Sequence, residues 1–377
     1  MKNKKNRSLR VAILVPSLLM HKELYENQVF APGHLAIDLA NELVDLGHHP
    51  VLFSSQDTKS KAPVIAISKK LFLDEVRHRK ASPSTFYQEY PKTAEGIDAT
   101  TSRWLVSLAY QMAQRNEFDV IHNMYGFLSL YFAPLTSVPT IVTLHDSLFV
   151  GQRSRNLRYN YSSHPDANYV SISNFQRRGM PKLNYISTVY NGVNTNNFSF
   201  SDAPRDQLVW MGRVTRVKGL HTALRVAAAS KTPLSFAGRK PTSGENFTYY
   251  KNEIQPLLGK APHRTPGFIS SEKDRAKFLG SGKALLFPVE WDEAFGLVMT
   301  EALSCGTPVI AFDRGSVREI VRNGVNGFVV KNEKEMVAAV KKIHLIDRRK
   351  CRASVERKFS NRSMAEGYAK VYQRLVK

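Results

Sequence analysis

Cysteine is nearly missing from this chain of 377 residues, with only Cys305 and Cys351 present. They lie far apart without ligand-type spacing. That excludes a disulfide framework and a cysteine zinc site, and it fits a reducing cytoplasm. Long apolar runs are missing as well. The longest, residues 11–19 and 138–144, are strand-sized and broken by proline or polar residues, so neither a membrane span nor a secretory h-region is expected. There is no Gly-x-Gly-x-x-Gly at the first strand-to-helix turn and no acidic residue of the dinucleotide type after the second strand, which disfavours a nicotinamide enzyme. No Asp-x-Asp pair and no lysine in a pyridoxal setting occur, so no metal and no cofactor are expected. Acidic residues are outnumbered 32 to 54, leaving a formal charge of +22 that favours anionic partners such as a nucleotide or an acidic surface. The basic residues cluster at 2–7, 69–80, 153–158 and 348–352. Each cluster reads first as a solvated face or a flexible terminus, and second as peripheral docking on an acidic membrane. A nucleic-acid partner is not expected, because aromatics are not interleaved with basics and no recognition module appears.

What is present points to two α/β domains. Hydrophobic residues make up 42% of the chain, enough for real cores at this length. Residues 9–15 form a near-continuous apolar strand of the kind buried in parallel sheets. Gly33 follows at the opening of a helix over 34–46, and residues 48–53 form the second strand of a βαβ unit. Residues 54–100 are the least readable part, expected to hold helices and a variable surface. A helix is expected over 101–115, strands over 118–122 and 138–146, and a tyrosine- and arginine-rich loop over 152–163. The strand over 138–146 ends in His145-Asp146, where open parallel sheets bind ligands. A polar linker runs over 196–207. A strand then ends at Met211, followed by Gly212-Arg213 and Lys218-Gly219 before a helix over 220–229. Arg213 and Lys218 can converge on a phosphate pair and stabilise charge on a departing diphosphate.

The densest stretch is 284–310. An apolar strand stops at Pro288, a polar loop carries Glu293, and Gly296 precedes a helix over 297–304 that contains Glu301. The helix start between the two glutamates offers free backbone N–H groups and the positive end of a dipole, a place to hold phosphate. The carboxylates on either side can accept hydrogen bonds from sugar hydroxyls.

Glu293-x7-Glu301 with Phe295-Gly296-Leu297 inside it, followed by Glu-Ala-Leu-Ser-Cys-Gly-Thr-Pro-Val-Ile, resembles the family-4 retaining glycosyltransferases. Gly212-Arg213-x4-Lys218-Gly219 resembles that family's diphosphate-binding segment, and Tyr190-Asn-Gly-Val-Asn194 resembles the close of its first domain. The resemblance implies the GT-B fold, two Rossmann-like domains with parallel sheets facing across a cleft. It implies an acceptor-side domain over 1–195, a linker over 196–207, a nucleotide-sugar domain over 208–356, and a last helix over 357–377 that crosses back. The implied activity is metal-independent transfer of a hexose, from a UDP-hexose or GDP-mannose, to a hydroxyl with retained configuration. The acceptor is a glycan, a lipid-linked sugar or a small molecule. Arg213, Lys218 and the amides of Phe295, Gly296 and Leu297 would hold the diphosphate. Glu301 would bind ribose and Glu293 the transferred sugar, which His145 approaches from the other domain. Only Gly33 carries over from the glycine turn, and Gly267 and Phe268 would meet the nucleobase. A GT-B epimerase or phosphorylase is the alternative.

Overall fold

The computed structural model describes residues 7–25, 30–149, 151, 155–259 and 262–376. The first sheet has seven strands: β1 (Arg10–Leu14), β2 (His49–Ser55), β3 (Val64–Ile67), β4 (Val120–Asn123), β5 (Thr140–Leu144), β6 (Asn168–Ser171) and β7 (Tyr185–Thr188). Their order is β3-β2-β1-β4-β5-β6-β7, and every pairing is parallel. The second sheet has six strands: β8 (Leu208–Met211), β9 (Leu234–Ala237), β10 (His263–Gly267), β11 (Ala284–Phe287), β12 (Val309–Phe312) and β13 (Gly327–Val330). Their order is β10-β9-β8-β11-β12-β13, again parallel throughout. The strand order reverses direction between β1 and β4 in one sheet and between β8 and β11 in the other, the two crevices where such sheets take ligands.

The unbroken apolar character of β1 follows from cover on both faces. Val11 and Ile13 pack with the Ala31–Asp45 helix and the Asn361–Leu375 helix. Ala12 and Leu14 pack with the Pro91–Gln114 helix on the other side. The Asn361–Leu375 helix, last in the chain, is held on the first sheet by polar contacts as well as apolar ones. His122 Nδ1 lies 2.7 Å from Tyr372 Oη, His122 Nε2 lies 2.7 Å from Thr143 Oγ1, and Thr143 Oγ1 lies 3.0 Å from Tyr368 Oη. All four side chains are buried, so each bond also removes an unmet polar group.

Several elements differ from the sequence reading. The stretch 54–100 contains an edge strand, β3, and three helices, Lys70–His78, Pro83–Glu89 and the first half of Pro91–Gln114. The last begins ten residues before the expected helix because Pro91 suits a first helical turn. The expected loop over 152–163 holds a helix, Arg155–Ser162, where Tyr161 is buried against Tyr169 and Asn160 turns inward; residues 152–154 lie outside the described residues. The basic cluster at 348–352 is only half solvated. Arg348 donates to the carbonyls of Ser201, Gly280 and Gly282, and Arg352 to those of Thr195, Phe198 and Ser304. These two guanidiniums pin the 195–201 segment to the second domain, while Arg349 and Lys350 stay exposed. Residues 2–5 lie outside the described residues. No described helix is long and apolar enough to cross a membrane.

Candidate active site

The loops after β8 and β11 meet at the switch point of the second sheet. Glu290 N donates to Val217 O at 2.9 Å, and Gly219 lies so close to the Pro288 carbonyl that a Cβ there would overlap it. This backbone contact brings together two motifs far apart in sequence. Lys218 Nζ reaches Glu293 Oε2 at 2.5 Å, and Trp291 Nε1 donates to the same oxygen at 2.9 Å. The Lys218 ammonium also sits 4.6 Å from the centre of the Trp291 ring. Both charges are largely withdrawn from water, with side-chain exposures of 17% and 12%, so their attraction is little screened. The Glu293 backbone is pinned in turn: Ser316 N donates to Glu293 O at 3.0 Å and Ser316 Oγ to Phe295 O at 2.9 Å.

Gly296 caps the Leu297–Ser304 helix in the left-handed region, φ +85°, which a side chain would resist. Its carbonyl accepts from Met299 N at 3.0 Å, leaving the amides before that point at the open helix end. Phe295 is buried beneath them and Leu297 is half-buried at the seam with the first domain. Arg213 leaves β8 exposed, and its guanidinium takes no hydrogen bond or ion pair among the described residues. Arg216 is committed elsewhere, to Glu253.

Glu301 occupies a different setting. Its carboxylate accepts from Arg275 Nη2 at 2.8 Å, and both side chains are buried. Burial pushes the Glu301 carboxyl up; Arg275 opposes this and Glu272 adds to it. The two line an inter-domain cavity of about 30 Å³ with His34, Asp38, Asn194 and Leu297. That is room for a water-sized group, so a ribose at Glu301 requires the seam to open. The structure thus pairs Glu293 with Lys218, and Glu301 with Arg275 at the domain seam.

The remaining candidates sit at other strand ends. Gly33 lies in the first turn of the Ala31–Asp45 helix, where a Cβ would strike Met20 and Phe30. Gly267 ends β10, and the exposed Phe268 ring beside it carries the Arg239 guanidinium 4.8 Å above its centre. His145 follows β5 in the first domain. Its Nε2 is buried without a hydrogen-bond partner among the described residues, and burial lowers its pKa to about 4, so the ring is neutral at physiological pH.

Two family models match the chain nearly end to end. The one described as Glycosyltransferase Family 4 covers residues 33–197, and the one described as Glycosyl transferases group 1 covers residues 195–359. The chain belongs to the family-4 glycosyltransferases. Among curated relatives of this glycosyltransferase, an uncharacterised glycosyltransferase of Methanocaldococcus jannaschii is 25% identical over 68% of this chain and 76% of its own length. The D-inositol 3-phosphate glycosyltransferase of Thermobispora bispora is 23% identical over 82% and 80%. Among solved structures, AviGT4, a glycosyltransferase involved in avilamycin A biosynthesis, aligns over 98% of both chains with a TM-score of 0.65 at 19% identity. Anabaena HepE in complex with UDP-glucose aligns over 97% of this chain and 100% of its own, with a TM-score of 0.70 at 17% identity. The fold of the family-4 enzyme is therefore GT-B.

Several residues of this glycosyltransferase site escaped the sequence reading. Trp291 stood inside the motif, but its indole donor gave no signal. Arg275 and Asp38 stood on helices with no motif at all, and only their place at the domain seam marks them. Asp38 faces the seam beside His34, Glu272 and Arg275, with Glu42 one turn along its own helix and Glu301 across the cavity. Burial raises its pKa to about 7; Glu272 and Glu42 reinforce the rise and Asn361 opposes it. A carboxyl raised in the folded state binds protons that the unfolded chain has released, so stability falls as pH rises from about 4 to about 7. Asp38→Asn is expected to flatten the melting profile across that window. The slope removed is at most ~1.4 kcal/mol per pH unit. Calorimetric melts of both proteins from pH 4 to 8 check this, and parallel profiles would contradict it.

Proposed function

We propose that this glycosyltransferase moves a hexose from a nucleotide-sugar, with UDP-hexose favoured over GDP-mannose, to an acceptor hydroxyl with retained configuration and without a metal ion. The observation that carries the reading is the Lys218–Glu293 pair at the β8/β11 switch point, between the loop that carries the exposed Arg213 and the loop that leads into the Leu297–Ser304 helix. Arg213, Lys218 and the amides of Phe295–Leu297 receive the diphosphate, and two fixed cations replace a metal as its counter-charge. As the C1–O bond to the diphosphate breaks, the acceptor oxygen bonds to C1 on the same face. The acceptor proton passes to the departing phosphate oxygen. Glu293 holds hydroxyls of the sugar, Glu301 the ribose, and the neutral His145 reaches the sugar from the first domain. Gly267 and Phe268 lie by the base. Gly33 keeps the first helix close to Met20 and Phe30, leaving the chain near the donor unobstructed.

In this reading residues 1–195 serve the acceptor, 196–207 link, 208–356 bind the donor, and 357–377 tie the two. UDP-glucose bound to the structurally similar HepE supports the donor assignment, and the D-inositol 3-phosphate relatives support a hydroxyl acceptor. The enzyme is placed in the cytoplasm, with its basic surface in peripheral contact with an acidic membrane when the acceptor is lipid-linked.

A thermal-shift panel of UDP-, GDP- and ADP-sugars, followed by mass detection of donor hydrolysis, tests the reading. A UDP-sugar is expected to raise the melting temperature, and Glu301→Ala to abolish the rise; an undiminished rise would remove the ribose role. EDTA is expected to leave turnover unchanged, and a strict Mn²⁺ requirement would overturn metal independence. Donor incubated alone should give hydrolysis without epimer; an epimer would favour the alternative enzyme class.

A further inference from the structure

Resting on the role proposed for His145, we propose that Glu319 and Gln176 are positioning residues that couple closure of the two domains to the placement of that histidine. Glu319 belongs to the second domain, on the short Val317–Ile320 turn of helix after β12. Its carboxylate crosses to the first domain. Oε2 accepts from Asn174 N at 2.9 Å, Oε1 from Phe175 N at 2.8 Å, and Oε2 also from Tyr190 Oη at 2.9 Å. Charge-assisted bonds to backbone amides are among the stronger and more directional contacts available. Lys358, the last residue of the Arg348–Lys358 helix, donates to the Glu319 carbonyl at 3.1 Å and lies 4.4 Å from the Tyr190 ring centre, closing the same joint.

The clamped segment leads directly to Gln176, which is fully buried. Its amide Nε2 donates to Leu144 O and to Asp146 O, both at 2.7 Å, and its Oε1 accepts from Ile172 N at 2.9 Å. Leu144 and Asp146 are the two neighbours of His145. One side-chain amide therefore holds the backbone on either side of the histidine and ties it to the end of β6. Ser173 Oγ accepts from Gln176 N at 3.1 Å and fixes the turn between. The path runs from Glu319 to the amides of 174 and 175, then to Gln176, then to the peptides flanking His145. When the domains part, the Glu319 bonds are lost and the turn carrying Gln176 loses its anchor.

A double-mutant cycle decides this. Glu319→Gln keeps the shape of the side chain but presents one acceptor where there were two charged oxygens. It is expected to lower kcat about tenfold, since small misplacements at a reacting centre carry large rate costs, while the donor-induced thermal shift, a property of the second domain, stays unchanged. In a His145→Ala background the same change should produce no further loss of kcat, because residues acting as a unit are not additive. Glu319→Asp, which retains the charge, should recover part of the rate. Gln176→Glu, which puts an acceptor where a donor to two carbonyls is needed, should reproduce the Glu319→Gln effect if it folds. Multiplicative losses in the cycle, or an unaltered kcat in Glu319→Gln, would overturn the coupling. A fully active His145→Ala would instead overturn the histidine's own role, so the two failures are distinguishable.

Discussion

Lys218→Met is expected to lower kcat by ~10²–10³ with a smaller rise in KM for the donor, the loss typical of deleting one preorganised group at a developing charge. Lys218 cannot be replaced from nearby. Arg216 is held by Glu253, and Arg213 already has its own part in the proposed diphosphate site. The same substitution removes the partner of a largely buried carboxylate. Among the described residues Glu293 then keeps the Trp291 indole donor alone, so a stability loss of roughly 1–3 kcal/mol accompanies the rate loss. Arg213→Gln is the contrasting variant. With no partner to abandon, it should alter stability by less than ~0.5 kcal/mol while weakening donor binding about tenfold, the worth of one exposed charge-assisted bond. Single-turnover kinetics beside thermal melts separate the two. Lys218→Met at full turnover would show that the leaving group is stabilised elsewhere.

Gly315→Ala is expected to slow the enzyme about a hundredfold, although residue 315 has no side chain to offer the site. Its φ is +59°, and an added Cβ would overlap the backbone nitrogen and carbonyl oxygen of Glu293. The Glu293 peptide cannot step aside without breaking its bond from Ser316 N and the neighbouring bond from Ser316 Oγ to Phe295 O. The left-handed backbone costs ~1–2 kcal/mol for alanine, and the overlap adds ~1–3 kcal/mol. Displacement of Glu293 by about 1 Å should take ~10²-fold from the rate. Gly324→Ala provides the control. Its φ is +72°, but nothing lies within 4 Å of the new methyl group, so only the backbone cost is expected, with activity intact. Equal activity in the two alanine variants would mean that the Glu293 loop is not held by this contact.

The sequence was most legible where one physical pattern dominated. The Leu220–Ala229 and Leu297–Ser304 helices and the β11 and β12 strands lie where apolar periodicity and bounding glycine or proline predict them. It was least legible where packing overrides local pattern. β3 is an edge strand of four apolar residues between lysine-rich flanks, too short to stand out until its pairing with β2 is seen. The Arg155–Ser162 helix is polar by composition and gains its face from buried Tyr161. Arg348 and Arg352 look like surface charge in sequence, and only the free carbonyls around 195–201 and 280–282 convert them into a clamp.

By itself, the sequence determined two parallel α/β units and set Lys218 and Glu293 each in a loop before a helix, because these depend on local periodicity and short-range residue chemistry; the family was legible through the resemblance of the motifs around them. Only the tertiary structure decided that Lys218 and Glu293 share an ion pair across 75 residues, that Glu301 is held by Arg275 at the domain seam, and that Glu319 reaches the turn before Gln176. Those contacts join strand ends whose adjacency is set by sheet order and domain docking, and neither quantity is written in any local stretch of the chain.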